Sequence, residues 1–206
     1  RTLFTNVALF KSKYKNQQVT VQVPSLAGGI ASFVDNAGRG DIWGAELELR
    51  AVPSPNFSMN AAVGYTNADY KEFLTFITGG TTPVDVANAR EFQNTPRFTA
   101  SASATASGDL LGGTISFTPA VSLRSDAYMF EIPTPALDPD GYFLVDASAA
   151  WTSPDDAFKL SVNLRNLTNE RYRVGGYNFP GALFGNSIIG YYGPPRTATF
   201  NIEYRF

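Results

Sequence analysis

The sequence predicts an all-β protein, an antiparallel transmembrane β-barrel segment with long extracellular loops and short periplasmic turns. Three observations predict it. Apolar and polar residues alternate with a period of two through nine segments of the chain. The connections between those segments are alternately short and long. The 206 residues are 44% hydrophobic and 14% aromatic but only 17% charged, against about 25% charged in an average globular domain.

The elements follow in chain order. Residues 2–14 form an irregular strand whose facing the pattern leaves open, and Lys15-Asn16 reads as a tight turn. Val19, Val21 and Val23 then oppose Gln18, Thr20 and Gln22. After a long loop at 25–39, Trp43, Ala45, Leu47, Leu49 and Ala51 oppose Glu46, Glu48 and Arg50. A short turn at Pro53-Ser54-Pro55-Asn56 leads to Phe57, Met59, Ala61, Val63 and Tyr65, which oppose Ser58, Asn60 and Thr66. The long 71–95 loop has room for one further strand. Phe98 and the alanines at 100, 102, 104 and 106 then oppose Thr99, Ser101, Ser103 and Thr105. A short turn from Gly108 to Gly113 precedes Ile115, Phe117, Val121 and Leu123, opposite Thr114, Ser116, Thr118, Ser122 and Arg124.

A longer loop spans 126–140. Phe143, Val145, Ala147, Ala149 and Trp151 then share an uncharged face, with Asp146 and Ser148 opposite. Past the short turn Ser153-Pro154-Asp155-Asp156, Leu160, Val162 and Leu164 oppose Lys159, Ser161, Asn163 and Arg165. A long loop at 170–193 precedes the last strand, where Ala198, Phe200, Ile202, Tyr204 and Phe206 oppose Thr197, Thr199, Asn201, Glu203 and Arg205.

Side chains on a strand point alternately to opposite faces, so each segment is an apolar wall backed by a polar one. No run approaches the roughly 18 apolar residues of a membrane helix. Segments of about ten residues suit a tilted membrane-spanning strand, and aromatics near strand ends suit interfacial girdles. A soluble β-sandwich alternates too, with its apolar face on a second sheet. Strand length and loop pattern together favour the barrel. Short connections are expected on the periplasmic side. An odd count of nine strands, a start at Arg1 and the lack of a signal peptide lead to the expectation that the N-terminal part of the barrel lies outside this chain.

The composition also excludes chemistry. There is no cysteine and no histidine, so this chain cannot build thiolate or imidazole zinc sites, or Cys-His or Ser-His catalysis. It is not expected to be an enzyme, and no cofactor is expected. A net charge of −2 offers no field for nucleic acid. Asp138-Pro139-Asp140-Gly141 starts like a calcium loop but lacks its later carboxylates, and reads as a turn. The pairs Gly28-Gly29, Gly79-Gly80, Gly112-Gly113 and Gly175-Gly176 read as turns.

Three stretches resemble the C-terminal barrel of TonB-dependent outer-membrane receptors. Residues 163–172, Asn-Leu-Arg-Asn-Leu-Thr-Asn-Glu-Arg-Tyr, resemble N-L-x-N-L-x-[DN]-x-x-Y, with Thr168 where many relatives carry Phe. Residues 192–206, from Tyr-Gly-Pro-Pro-Arg-Thr to the terminal Phe206, resemble the family's closing Y-G-x-P-R-T strand. Residues 36–51 resemble a strand of the form N-A-x-x-x-x-x-G-x-E-L-E. Residues 95–101 and 141–147 match more weakly.

The resemblance implies that residues 1–206 are the C-terminal part of a 22-stranded receptor barrel, roughly strands 14 to 22, without its plug. It implies TonB-energised uptake of a large scarce ligand, commonly a ferric siderophore, across a Gram-negative outer membrane. A passive porin is the alternative. The implied partners are outer-membrane lipid, the TonB complex through the missing N-terminal part, and the barrel assembly machinery. Phe200, Ile202, Tyr204 and Phe206 resemble the C-terminal signal that this machinery reads. In the last long loop, Tyr177, Phe179, Phe184 and Tyr191, together with Tyr172 and Tyr192, are candidates to pack on a flat ligand, though loop packing and interfacial anchoring explain them too. Arg196 reads as a structural residue of the rim. Glu46, Glu48, Arg50, Arg124, Lys159, Arg165, Glu203 and Arg205 read as lumen-facing.

The facing can be tested directly. Val162→Arg or Ala102→Arg should cost about 2–4 kcal/mol near the bilayer midplane. Asn163→Arg or Ser101→Arg should be better tolerated. Equal effects of both sets in a membrane-insertion assay would refute the assignment.

Overall fold

Alternation at period two becomes extended backbone, and strands joined by short turns pair as antiparallel hairpins because the turn leaves no other partner within reach. The computed structural model describes residues 2–24, 30–76, 82–179 and 185–206, with side chains except at 19–24, 30–33 and 35–37. The strands are β1 (Thr2–Pro24), β2 (Ile30–Ser54), β3 (Phe57–Thr75), β4 (Val84–Asp85), β5 (Phe98–Leu110), β6 (Gly113–Arg124), β7 (Tyr142–Thr152), β8 (Phe158–Arg165), β9 (Arg173–Phe179), β10 (Ser187–Tyr192) and β11 (Thr197–Tyr204). One 3-10 turn, Ala87–Ala89, follows β4. The main sheet runs β1-β2-β3-β5-β6-β7-β8-β11, with β4 added to β3, and β9 and β10 form a separate hairpin.

Register carries the two faces in phase across every interface. Leu47 pairs with Val63, Val63 with Ala100, Ala100 with Leu123, and Leu123 with Phe143. Nearer the short turns, Phe57 pairs with Ala106, Ala106 with Phe117, Phe117 with Ala149, Ala149 with Val162, and Val162 with Phe200. The polar rows match in the same way, as in Glu48 with Ala62, Ala62 with Ser101 and Ser101 with Ser122. Thr105 and Thr118 join their hydroxyls across that face at 2.8 Å. β1 takes its facing from β2. Leu3, Val7 and Leu9 lie opposite Ala51, Leu47 and Ala45, while Phe4, Asn6 and Ala8 lie opposite Arg50, Glu48 and Glu46.

The sheet has the nine strands expected, but not the same nine. Lys15-Asn16 is no turn, and the first two expected strands are one strand, β1. Between Tyr14 and Gln18 the ladder slips by one residue on β1 and then by one on β2, so the register beyond matches the register before. Asn16 takes a left-handed φ of 55°. Asparagine tolerates that conformation in bulges and turns alike, which is why the sequence suggested a turn. The expected 25–39 loop is strand from Ile30 onward. The room for a further strand in the 71–95 loop is filled by the two-residue β4, and the eight remaining strands of the sheet are longer. The long strands number eight and not an odd nine, and β1 starts at the short-turn edge of the sheet, where β11 ends.

Gly175 and Gly176 do not form a turn either, but lie inside β9. Gly112 does turn the chain, since Leu111 and Gly112 both have positive φ, 53° and 76°, between the paired Leu110 and Gly113. Gly28-Gly29, Gly79-Gly80 and Phe184 lie outside the described residues, as do the side chains of Val19, Val21 and Val23.

Nothing among the described residues covers the apolar face. The buried hydrophobics are Phe73, Ala127, Met129 and Leu137, all in or next to the long loops. By contrast Leu9, Phe200 and Ile202 are 80%, 77% and 78% exposed. A sandwich would have laid a second sheet on them. No described helix is long and apolar enough to cross a membrane.

Leu111 gives a test of the turn. A left-handed conformation costs a non-glycine residue roughly 1–2 kcal/mol, and asparagine tolerates it better. Leu111→Asn should therefore raise unfolding stability by about 1 kcal/mol in a denaturant titration, while Gly112→Val should lower it.

Candidate functional site

The chain leaves β8 at Asn166, which directs everything beyond it. Asn166 is 4% exposed and has a left-handed φ of 51°. Its side-chain amide donates to the carbonyls of Glu170 and Pro194 at 2.8 and 3.1 Å, and its oxygen accepts from the Glu170 N–H at 2.7 Å. Its own N–H donates to Asp146 on β7 at 2.8 Å. Asn169 accepts from the Arg196 N–H at 3.0 Å, and the Arg196 guanidinium reaches the Leu167 carbonyl. The two motifs at 163–172 and 192–197 thus meet in space, and Arg196, though exposed, ties one to the other. Tyr172 completes the knot. It packs against Tyr142 in a tilted pair with ring centroids 4.4 Å apart. Its ring fills the space a side chain at Gly193 would need, 2.1 Å from where a Cβ would stand. Burial, then Tyr142 and Asp146 nearby, push the Tyr172 hydroxyl above its ordinary pKa.

This knot launches the β9–β10 hairpin. Ser187 pairs with Phe179, Ile189 with Tyr177, and Tyr191 with Gly175. One face therefore carries Phe179, Tyr177, Ile189 and Tyr191. Three of the four candidate aromatics meet there. Tyr177 lies 5.8 Å from Phe179 and 5.9 Å, edge to face, from Tyr191. Tyr177 and Tyr191 are 53% and 49% exposed. Tyr192 instead takes the Arg171 guanidinium over its ring at 4.2 Å. The paired Gly176 and Gly190 lie on the other face, against the loop between β6 and β7.

That loop spends its carboxylates on structure. Asp138 accepts the N–H groups of Met129 and Thr134 at 2.9 and 2.8 Å, so its carboxylate ties the loop, but the turn itself lies just before it at 135–137 and not at Asp138–Gly141. Asp140 pairs with Arg173 of β9 at 3.1 Å. Across the rim, Asp85 accepts the N–H groups of Phe73 and Ala87 at 3.0 Å each. These two bonds, that of Phe73 first, hold its carboxyl below the usual carboxylate range. No group of three or more metal-ligating side chains occurs among the described residues. The sequence reading missed Leu137 and Arg173. The only signal for Leu137 was a lone leucine inside a Pro, Thr and Asp run.

The remaining candidates lie on the sheet. Phe200, Ile202 and Tyr204 stand in a row on the apolar face of the edge strand β11, and Tyr204 packs on Phe158 at 4.8 Å. Phe206 follows, fully exposed. On the polar face Lys159 pairs in register with Glu203, and Asn6 donates to Glu48 at 3.4 Å. Arg205 pairs with Glu203 at 2.8 Å.

Comparison with known proteins gives one family. The model described as TonB dependent receptor-like, beta-barrel, matches residues 1–167. No curated protein sequence matches. Among solved structures, the ferric yersiniabactin uptake receptor FyuA from Yersinia pestis aligns over 99% of this chain and 28% of its own, at 22% identity and a TM-score of 0.72. The siderophore receptor PiuA from Acinetobacter baumannii aligns over 98% and 26%, at 18% identity and 0.73. The copper transporter OprC aligns over 100% and 29%, at 16% identity and 0.67. The chain thus spans little more than a quarter of each, and at these identities the likeness shows the fold.

Asn166 carries the most bonds per side chain at the rim. Asn166→Ala removes three hydrogen bonds from a buried position, each worth roughly 1 kcal/mol. It should lower stability by about 2–3 kcal/mol and speed amide exchange through 166–172, with no change at β5 or β6.

Proposed function

We propose, from the premise that this chain belongs to the TonB-dependent receptor-like β-barrel family, that it forms a wall of an outer-membrane receptor importing a large scarce ligand with TonB-supplied energy. A ferric siderophore is the ligand class proposed, in keeping with the receptors for ferric yersiniabactin and other siderophores that it resembles. The role is transport and not catalysis.

One observation carries the reading. A single sheet keeps an uncovered apolar face and a polar face in phase across seven strand interfaces. An exposed apolar area of that extent needs a nonaqueous cover, and lipid is the cover proposed. In lipid, unpaired strand edges are not tolerated, so β1 and β11 pair with further strands of the same protein. On this reading the eight long strands are the last of about 22, the number in plugged outer-membrane transporters. The short turns face the periplasm, and the β9–β10 hairpin stands outside the cell. Phe200, Ile202, Tyr204 and Phe206 serve as the assembly signal and the polar face holds the plug. Tyr177, Phe179 and Tyr191 offer ring faces and edges to a flat chelate, with Phe184 a further candidate from the sequence.

A radiolabelled ferric tris-catecholate is a suitable probe in cells carrying the full-length receptor. Uptake should stop when the TonB system is deleted. Tyr177→Ala and Tyr191→Ala should each raise the dissociation constant roughly five- to tenfold, an aromatic contact of ~1 kcal/mol. Uptake indifferent to TonB would make the protein a passive porin instead.

A further inference from the structure

We propose that Leu137 is a positioning residue, a knob that seats the β9–β10 hairpin on the loop between β6 and β7 and so fixes how the aromatic face is presented. Leu137 is the largest fully buried side chain among the described residues, at 1% exposure, although it lies in a loop. A leucine in a surface loop gains that burial only against a partner shaped for it. The partner is the glycine pair Gly176 and Gly190, directly opposite each other in the hairpin. A Cβ at Gly176 would stand 2.7 Å from the Leu137 Cδ2 and 2.6 Å from the Ile189 carbonyl oxygen, so the hole exists because β9 lacks a side chain there, while a Cβ at Gly190 would only touch Leu137, at 3.9 Å.

The knob is held on both sides. Its own N–H and that of Asp138 donate to the Thr134 carbonyl at 2.7 and 2.8 Å. Arg173 at the base of β9 donates to the Ala136 carbonyl and pairs with Asp140. The loop is tied in turn to the segment after β4, where the Glu91 and Asn94 N–H groups donate to the Glu131 and Tyr128 carbonyls at 2.9 and 2.8 Å. Hairpin and loops form one linked body. Side chains alternate across a strand, so seating the glycine face inward turns Tyr177, Ile189 and Tyr191 outward. The functional value of that presentation rests on the aromatic reading proposed above.

The test measures hydrogen exchange on the full-length protein in outer-membrane vesicles, with no ligand added. Leu137→Ala should speed exchange at the amides of 173–179 and 187–192 at least tenfold, leaving β7 and β8 unchanged. Surface nitration of Tyr177 and Tyr191 should change with it, while that of Tyr65 should not. Leu137→Met refills the hole and should restore both readouts, and Gly176→Val should reproduce Leu137→Ala. Unchanged hairpin exchange in Leu137→Ala overturns the proposal, as does faster exchange with unaltered tyrosine reactivity. Neither result depends on a ligand, so failure of the aromatic reading would show separately, as tyrosine variants with normal chelate uptake.

Discussion

The structure depends on keeping two faces in phase across every strand interface. A slip of one residue in any one of them would carry all apolar residues beyond it to the polar side. Turn chemistry and side-chain choice both guard against this. The tight connections are short, with Leu110 closed on Gly113 in the register of its ladder, while the Ser54–Phe57 closure takes up a one-residue shift at the end of the β2–β3 ladder. At the one place where the ladder of β1 and β2 slips, a second slip on the partner strand cancels it. Two compensating bulges keep Leu9 and the residues beyond Gln18 on a common register, which one bulge would not.

The long-loop edge answers to a different constraint. There the chain leaves the sheet and must satisfy its backbone groups without a ladder. Asparagine and aspartate side chains do this work. Asn166 closes one exit, Asp138 the loop after β6, and Asp85 the end of β3. The few buried apolar side chains, Phe73, Met129 and Leu137, sit beside these polar ties. The protein part of the core is therefore at the rim, while the apolar wall of the sheet is left to its surroundings.

Much of this was legible in the sequence. Every apolar face assigned by alternation from Trp43 onward is the face the register assembles, and the short connections after 43 fall at the expected places. The motif at 163–172 was visible as a resemblance, although its physical meaning, an amide bonded to Glu170 and Pro194, needed the structure. Three errors share one cause. Lys15-Asn16, Gly175-Gly176 and the 25–39 loop carry residues that permit turns, and permission is not requirement. Asn16 bulges because β2 continues opposite it, and Gly176 stays extended because it pairs with Gly190 across the hairpin.

The sequence by itself determined the two faces, the order of the long strands and the absence of histidine and cysteine chemistry. Those follow from the stereochemistry of successive residues, which sends neighbouring side chains to opposite sides whatever lies beyond. Tertiary structure alone decided where strands end, which residue of a polar loop is buried, and which aromatics share a face. Each of these is settled by a partner distant in the chain. Leu137 meets Gly176 and Tyr191 meets Tyr177 only after both hairpin and loop are in place.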